Sequence, residues 1–155
     1  LTIYYVLLRK KMFLDRKKLP ADCKVGFTCS TFDLFHAGHI VMLQEAKTLC
    51  DYLIVGLLID PTVDRPDAKN APVQTPFERY IQLSSCKYVD EVIPFSTEQE
   101  LVDMILTINP DIRIVGEEYK DVEHTGKGLC PVHYNRRRHS FSSSELRQRV
   151  VNSDK

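Results

Sequence analysis

His36 and His39 form a pair of imidazoles inside the stretch STFDLFHAGH, residues 30–39. An apolar run before the pair predicts a buried strand, and apolar residues after it recur at helical spacing. The pair therefore stands at the amino end of a predicted helix, where free backbone N–H groups and the helix dipole favour an anion. Two imidazoles there can donate hydrogen bonds to phosphate oxygens, and Gly38 between them leaves room for a ligand near the backbone.

The same two histidines are compatible with other roles. Zinc binding needs further ligands, and no nearby Cys, Asp or Glu completes a convincing set, so we predict no metal ligands in the chain itself. Helix-capping or core histidines would also explain an arbitrary pair at this spacing.

The stretch also resembles a known signature. TFDLFHAGH, residues 31–39, is similar to the motif TFDxxHxGH of the cytidylyltransferases within the HxGH nucleotidyltransferase superfamily. A second string, residues 137–144, resembles the RTxGISTT-like segment that precedes the last helix in these enzymes. The resemblance covers roughly residues 24–150 and is closest to the small stand-alone members that act on glycerol 3-phosphate. It departs from the family pattern at three positions, which are Ser30, Arg138 and Ser140.

The resemblance implies that CMP is transferred from CTP to a small phosphorylated alcohol, with glycerol 3-phosphate as the expected acceptor. Pyrophosphate is then released, and Mg²⁺ accompanies CTP. The acceptor phosphate is itself a nucleophile, so the protein has to align two anions and stabilise the developing charge. Two alternatives stay open: an adenylyltransferase that uses ATP, and a nucleotide-binding module without activity. Family members tend to dimerise through the segment that corresponds to residues 87–92, which implies a homodimer here.

The resemblance assigns two groups of site residues. The catalytic group is His36, His39, Arg137 and Ser143. The substrate-binding group is Thr31, Phe32, Asp33, Gly38, Lys69, Arg79, Lys87, Gly116, Glu117, Glu118, Tyr119, Ser142 and Ser144. Three members have plainer explanations that stay open. Lys69 is also expected of a solvated loop, and Glu117 and Glu118 are also expected of an ordinary acidic surface.

Strand and helix patterns alternate along the chain, which predicts βαβ units and one parallel sheet. We expect a Rossmann-like single α/β domain with a five-stranded parallel sheet flanked by helices. The polar connection at residues 60–74 is a candidate active-site flap. Three helix starts carry a capping-box pattern, and these are at Thr75, Thr97 and Ser142. Ligands of such sheets bind past the carboxyl ends of the strands.

Length and composition are those of one globular domain. The chain has 155 residues, of which 43% are hydrophobic and 27% are charged. Basic and acidic residues number 21 each, so net charge does not indicate a nucleic-acid or membrane partner. The apolar run at residues 1–8 is far shorter than the roughly 20 residues of a membrane span. We interpret residues 1–22 as an extension and 23–155 as the nucleotidyltransferase domain.

Five scattered cysteines without paired spacing predict reduced thiols and a cytoplasmic protein.

Overall fold

The computed structural model describes residues 16–153, which form five strands and four α-helices. In chain order these are β1 (Val25–Ser30), α1 (Ala37–Thr48), β2 (Tyr52–Leu58), α2 (Pro76–Ser84), β3 (Glu91–Phe95), α3 (Glu98–Ile108), β4 (Ile112–Gly116), β5 (Val132–Asn135) and α4 (Ser143–Ser153). Two short 3-10 turns cover Arg16–Lys18 and Glu117–Tyr119. Residues 1–15 of the predicted extension lie outside the described residues, and its boundary at residue 22 stays a prediction.

All five strands run parallel in a single sheet, in the order β3-β2-β1-β4-β5. β1 and β2 are paired from Val25 opposite Tyr52 to Ser30 opposite Leu57. The chain moves outward from β1 to β3 and then crosses back to β4 on the other side of β1. This confirms the predicted Rossmann-like α/β fold. It also puts the topological switch point between β1 and β4, where ligands of such sheets bind.

Helices cover both faces of the sheet, which is why the central strands are apolar on both sides. Alternate residues of β2 point to opposite faces. Ile54 packs with Phe27 in the cluster beneath α3, whereas Leu53 and Val55 pack with Leu43 of α1. Burial of each such side chain contributes about 1.5–3 kcal/mol, so the two layers fix the strand ends that carry the site.

α2 begins with the capping box that the sequence predicts. The Thr75 hydroxyl accepts from the Glu78 N–H at 3.3 Å, and the Glu78 carboxylate accepts from the Thr75 N–H at 2.7 Å. Pro76 occupies the first helical position, where a missing N–H costs nothing. This cap fixes the point at which the 60–74 connection returns to the body of the protein.

The other two predicted boxes form in part. Thr97 caps α3 by accepting from the Glu100 N–H at 3.1 Å, but the Glu100 carboxylate accepts from the Ser96 N–H instead, at 2.6 Å. Ser142 caps α4 by accepting from the Glu145 N–H at 3.1 Å. Each such cap is worth about 1 kcal/mol.

Local contacts set two element boundaries. α1 begins at Ala37, because His36 itself caps the helix. α2 ends at Ser84 and β3 begins at Glu91, because two tight turns fill the space between them, with Cys86 donating to the Leu83 carbonyl and Val89 to the Cys86 carbonyl. None of the described helices is long and apolar enough to cross a membrane.

The five cysteines are free thiols, as the sequence predicts. Burial raises the pKa of Cys50 to about 11 and also raises the pKa of Cys29 and of Cys130. These three thiols therefore stay protonated at neutral pH and are poor nucleophiles.

Candidate active site

His36 and His39 cap α1 reciprocally. Nδ1 of His36 accepts from the Gly38 N–H at 3.0 Å, and Nδ1 of His39 accepts from the His36 N–H at 3.3 Å. In a neutral imidazole one nitrogen accepts and the other carries the proton. Both rings are therefore assigned the Nε2–H tautomer, and their centroids are only 3.9 Å apart. The helix start thus presents two stacked imidazoles, each with one Nε2–H donor.

Both imidazoles are held in the neutral form. Burial lowers the pKa of His36, and the charges of Arg137 and His139 lower it further. Burial, helped by the charge of His36, lowers the pKa of His39 to about 3. At neutral pH the pair consequently offers hydrogen-bond donors and not positive charge. Such uncharged donors can stabilise negative charge as it develops on a phosphate oxygen.

Gly38 makes room for two rings. A Cβ at this position would stand 2.8 Å from Cε1 of His139 and 2.9 Å from Cε1 of His36, closer than real atoms pack. The sequence suggested that the missing side chain admits a ligand, but in the structure these two imidazoles fill the space. Sequence reasoning did not single out His139, whose only signal was its place inside the string RRRHSFSSS.

Asp33 ties three segments together. Its carboxylate accepts from the N–H groups of Val73 and Gln74 at 3.0 and 2.9 Å and from Arg147 at 2.7 Å. Burial alone would raise the pKa of Asp33, but these backbone hydrogen bonds and the Arg147 guanidinium together lower it. Asp33 was predicted to bind substrate. Its acceptor sites are instead used to hold the 60–74 connection and α4 against the loop after β1.

The second motif lies against the first. The Ser143 hydroxyl donates to the Asp33 carbonyl at 2.8 Å, and Arg137 donates to the Phe141 carbonyl while its charge lowers the pKa of both site histidines. The structure therefore brings the four predicted catalytic residues into one region. Ser142 is half-buried as the cap of α4, and Ser144 is exposed in its first turn.

A cleft of about 680 Å³ runs along the carboxyl ends of the strands next to these residues. The 60–74 connection covers one side of it. There Arg65 forms an ion pair with Glu98 at 3.0 Å, and Asp64 accepts from the Glu98 N–H at 2.6 Å. Five predicted substrate-binding residues line the cleft, which are Thr31, Lys69, Gly116, Glu118 and Tyr119. The site histidines lie beside the cleft and are not part of its wall.

The loop after β4 adds a residue that the sequence analysis passed over. His124 lines the cleft and packs edge-on against Tyr119 and Tyr134, with ring centroids 6.2 and 6.3 Å away. Glu117 does not line the cleft and forms an ion pair with Arg136 at 3.4 Å.

The structure gives Arg79 a different role from the predicted one. Its side chain is 1% exposed, and its N–H groups donate to four backbone carbonyls at 2.6–3.1 Å, those of Thr31, Leu58, Ile59 and Gln74. These bonds leave little of the guanidinium for a phosphate. Arg79 instead holds the loop after β1, the end of β2 and the start of α2 together.

Lys87 and Phe32 do not line the cleft. Lys87 precedes the amino end of β3, at the edge of the sheet opposite the cleft, and its ammonium lies 5.0 Å from the Tyr88 ring centroid. Phe32 is buried beneath His39, with ring centroids 5.2 Å apart. Its φ of +52° belongs to the tight turn that aims the following residues at the helix start.

No group of three His, Cys, Asp or Glu side chains within residues 16–153 is placed to hold a metal ion by itself.

Fold and site together define a Rossmann-like α/β protein with an HxGH helix start beside its switch point. The chain belongs to the cytidylyltransferase-like family, whose model matches residues 27–149.

Two curated relatives illustrate the range of this family. The bifunctional protein HldE of Campylobacter jejuni (strain RM1221) is 40% identical over 108 residues, which are 70% of this chain and 23% of that protein. The ethanolamine-phosphate cytidylyltransferase of Dictyostelium discoideum is 35% identical, over 71% of this chain and 36% of that protein. The chain thus spans about a quarter to a third of the length of these relatives.

Solved structures support the fold. The lipopolysaccharide core biosynthesis protein from Thermoplasma volcanium GSS1 matches with a TM-score of 0.54 at 24% identity, covering 85% of this chain and 89% of that one. The pantoate-beta-alanine ligase from Francisella tularensis matches with a TM-score of 0.60 at 18% identity, covering 89% and 72%.

Proposed function

We propose that this chain transfers CMP from CTP to the phosphate of a small phosphorylated alcohol, with glycerol 3-phosphate as the preferred acceptor. The observation that carries the proposal is the pair of neutral Nε2–H donors, 3.9 Å apart between ring centroids, at the start of α1. Membership of the cytidylyltransferase-like family supports it, as does a relative named for ethanolamine-phosphate cytidylyl transfer.

The reaction requires little covalent chemistry from the protein. An oxygen of the acceptor phosphate attacks the α-phosphorus of CTP, and the bond from that phosphorus to the bridging oxygen breaks. The electron pair leaves with pyrophosphate. His36 and His39 donate to the oxygens whose charge grows, and Arg137 provides a fixed positive charge beside them.

Mg²⁺ enters this scheme as part of the nucleotide substrate. No three-ligand group is found in the described part of the chain, and Mg²⁺ readily keeps several waters while it binds phosphate oxygens. Phosphate oxygens and waters therefore supply most ligands of Mg²⁺. The ion in turn lowers the negative charge that the histidine donors have to stabilise.

Pyrophosphate release from the full chain tests the proposal. CTP, ATP, GTP and UTP are each supplied with Mg²⁺, with glycerol 3-phosphate, phosphoethanolamine, phosphocholine or no acceptor. We expect release to require an acceptor and to be fastest with CTP and glycerol 3-phosphate. If pyrophosphate release is fastest with ATP, the proposal is wrong and the chain is an adenylyltransferase. No release with any pair, despite nucleotide binding, would leave a nucleotide-binding module.

We also propose a homodimer through residues 87–92, on the basis of the family resemblance. Lys87 is exposed, as such a contact requires. Mass measurement in solution tests it, and a monomer at all concentrations up to those of the activity assay would contradict it.

A further inference from the structure

A third imidazole lies against the pair at the start of α1. Cε1 of His139 and Cε1 of His36 both come within 3 Å of the point where a Cβ on Gly38 would stand, at 2.8 and 2.9 Å. His139 reaches this place from the segment before α4, and not from α1.

The His139 ring is held with one nitrogen inside the protein. It stacks on Phe141 with ring centroids 5.0 Å apart and an interplanar angle of 24°. Nδ1 is buried and has no hydrogen-bond partner among residues 16–153. The side chain as a whole is half-buried, so its accessible atoms lie on the other edge of the ring. Nε2 lies on that edge, bonded to the carbon that borders the space over Gly38.

This environment assigns the proton of the neutral ring. An unpaired N–H inside a protein is rarer than an unpaired acceptor, so Nδ1 is assigned the lone pair and Nε2 the proton. His139 then has the same tautomer as His36 and His39. Three imidazoles of this tautomer therefore lie at one helix start, and they come from two parts of the chain far apart in sequence.

We propose that His139 is a third phosphate-binding residue, donating from Nε2 to the phosphate chain of the nucleotide. This inference rests on the proposed function for the identity of the ligand. In the family pattern RTxGISTT, the position of His139 is the unspecified one, so the resemblance assigns this imidazole no role. It also stands between two departures from the pattern, Arg138 and Ser140.

Binding of inorganic tripolyphosphate to the full chain, measured by titration calorimetry, tests the proposal without need of turnover. The His139→Phe variant keeps the ring that stacks on Phe141 and removes the donor. The His139→Gln variant keeps an N–H donor. The control is His133→Gln. His133 is a half-buried residue of β5 that contacts Glu45 at 3.1 Å and lies outside the site.

We expect His139→Phe to bind tripolyphosphate about tenfold more weakly, as loss of one hydrogen bond to a charged group predicts. His139→Gln should keep most of the affinity, and His133→Gln all of it. Where turnover is present, His139→Phe should raise KM for CTP more than it lowers kcat, whereas a purely structural role would lower the melting temperature and leave KM unchanged.

Equal affinity of the wild-type chain and His139→Phe overturns the inference, as does equal weakening by Phe and Gln or no binding to the wild-type chain. Failure of the proposed function is a separate result, since it appears as absent pyrophosphate release while tripolyphosphate still binds and still distinguishes the variants.

Discussion

At the residue scale, the proposed catalysis depends on which nitrogen of each imidazole is free. Nδ1 of His36 and of His39 is engaged by a backbone N–H, so Nε2–H is the group that can meet a phosphate. The same bonds that cap α1 therefore orient the donors. The same two hydrogen bonds cap the helix and align the donors, so no separate residue is needed to fix the tautomer.

Removing either imidazole should lower kcat much more than nucleotide affinity. We expect His36→Ala and His39→Ala to lower kcat by roughly 10²–10³-fold, or about 3–4 kcal/mol, as for loss of one preorganised donor. The measurements are kcat, the dissociation constant for CTP, melting temperature and bound zinc, with His133→Ala as the control. Near-normal turnover of both folded variants would refute the catalytic role, and zinc released together with activity would favour metal ligation.

The buried state of His39 also predicts how stability depends on pH. Its pKa is about 3 in the folded protein against about 6.5 unfolded, so between these values the unfolded chain binds one more proton. The free energy of unfolding should therefore fall as pH drops from about 6.5 towards 3. His39→Gln cannot take up that proton and should lose about 1–2 kcal/mol less than the wild-type chain between pH 7.5 and pH 5.

Urea unfolding at the two pH values measures this difference. Each protein serves as its own reference at pH 7.5, so the cost of the substitution itself cancels. Identical losses in both proteins would show that His39 is accessible to protons in the folded state.

At the scale of elements, Asp33 connects the loop after β1 to the 60–74 connection and to α4. Its carboxylate is buried and accepts from Val73, Gln74 and Arg147. Asp33→Asn keeps the shape but loses the charge and one acceptor site. We expect it to lower the free energy of unfolding by about 2–3 kcal/mol, discounted from a fully buried pair because Arg147 is partly exposed.

Hydrogen exchange locates that effect. The amides of Val73 and Gln74 should exchange faster in Asp33→Asn, because one of them loses its acceptor and the other donates to a neutral amide oxygen instead of a carboxylate. Glu123→Gln is the control, since it removes a carboxylate paired with Lys127 at the surface and should change neither stability nor exchange at those amides. Unchanged exchange in Asp33→Asn would mean that the connection is held by other contacts.

Features that depend on a local sequence pattern were predicted correctly, whereas features that depend on residues far away in the sequence were missed. The individual strands and helices, the cap at Thr75 and the histidine pair depend on residues within a few positions of one another, so spacing was sufficient. Val89 lies in the turn before β3, and apolar residues in turns and in strands look alike in a sequence when both face a core. The roles of Arg79 and Asp33 depend on partners up to 114 residues away, which no spacing rule reaches.

His139 belongs to the same class of omission. Its contact with Gly38 joins residues about 100 positions apart, and only the crossing from β3 back to β4 and β5 brings them together. A substitution at Gly38 tests this explanation of the glycine. Gly38→Ala should displace one of the two rings and lower both stability and kcat, whereas a glycine needed only for its backbone would tolerate alanine, since its φ is not in the left-handed region.

At the scale of the whole molecule, α4 is the helix that is least anchored to the hydrophobic core. Within residues 16–153, none of its side chains is buried, and its side-chain hydrogen bonds to the body run from the Ser143 hydroxyl to the Asp33 carbonyl and from Arg147 to the Asp33 carboxylate. The segment before it carries Arg137 and His139, so a bound triphosphate would add contacts where the fold supplies few. Nucleotide binding and attachment of α4 should therefore be linked.

This linkage predicts both a global and a local response to CTP with Mg²⁺. At 100 times its dissociation constant, the nucleotide should add about 2.7 kcal/mol to the free energy of unfolding, which for a chain of this size raises the melting temperature by roughly 5–10 °C. Amide exchange in α4 should slow more than exchange in α3, which is already held by four buried residues. The measurement is exchange with CTP and Mg²⁺ against Mg²⁺ alone. Uniform slowing in both helices would mean that the ligand stabilises only the global fold and that α4 does not close on the phosphates.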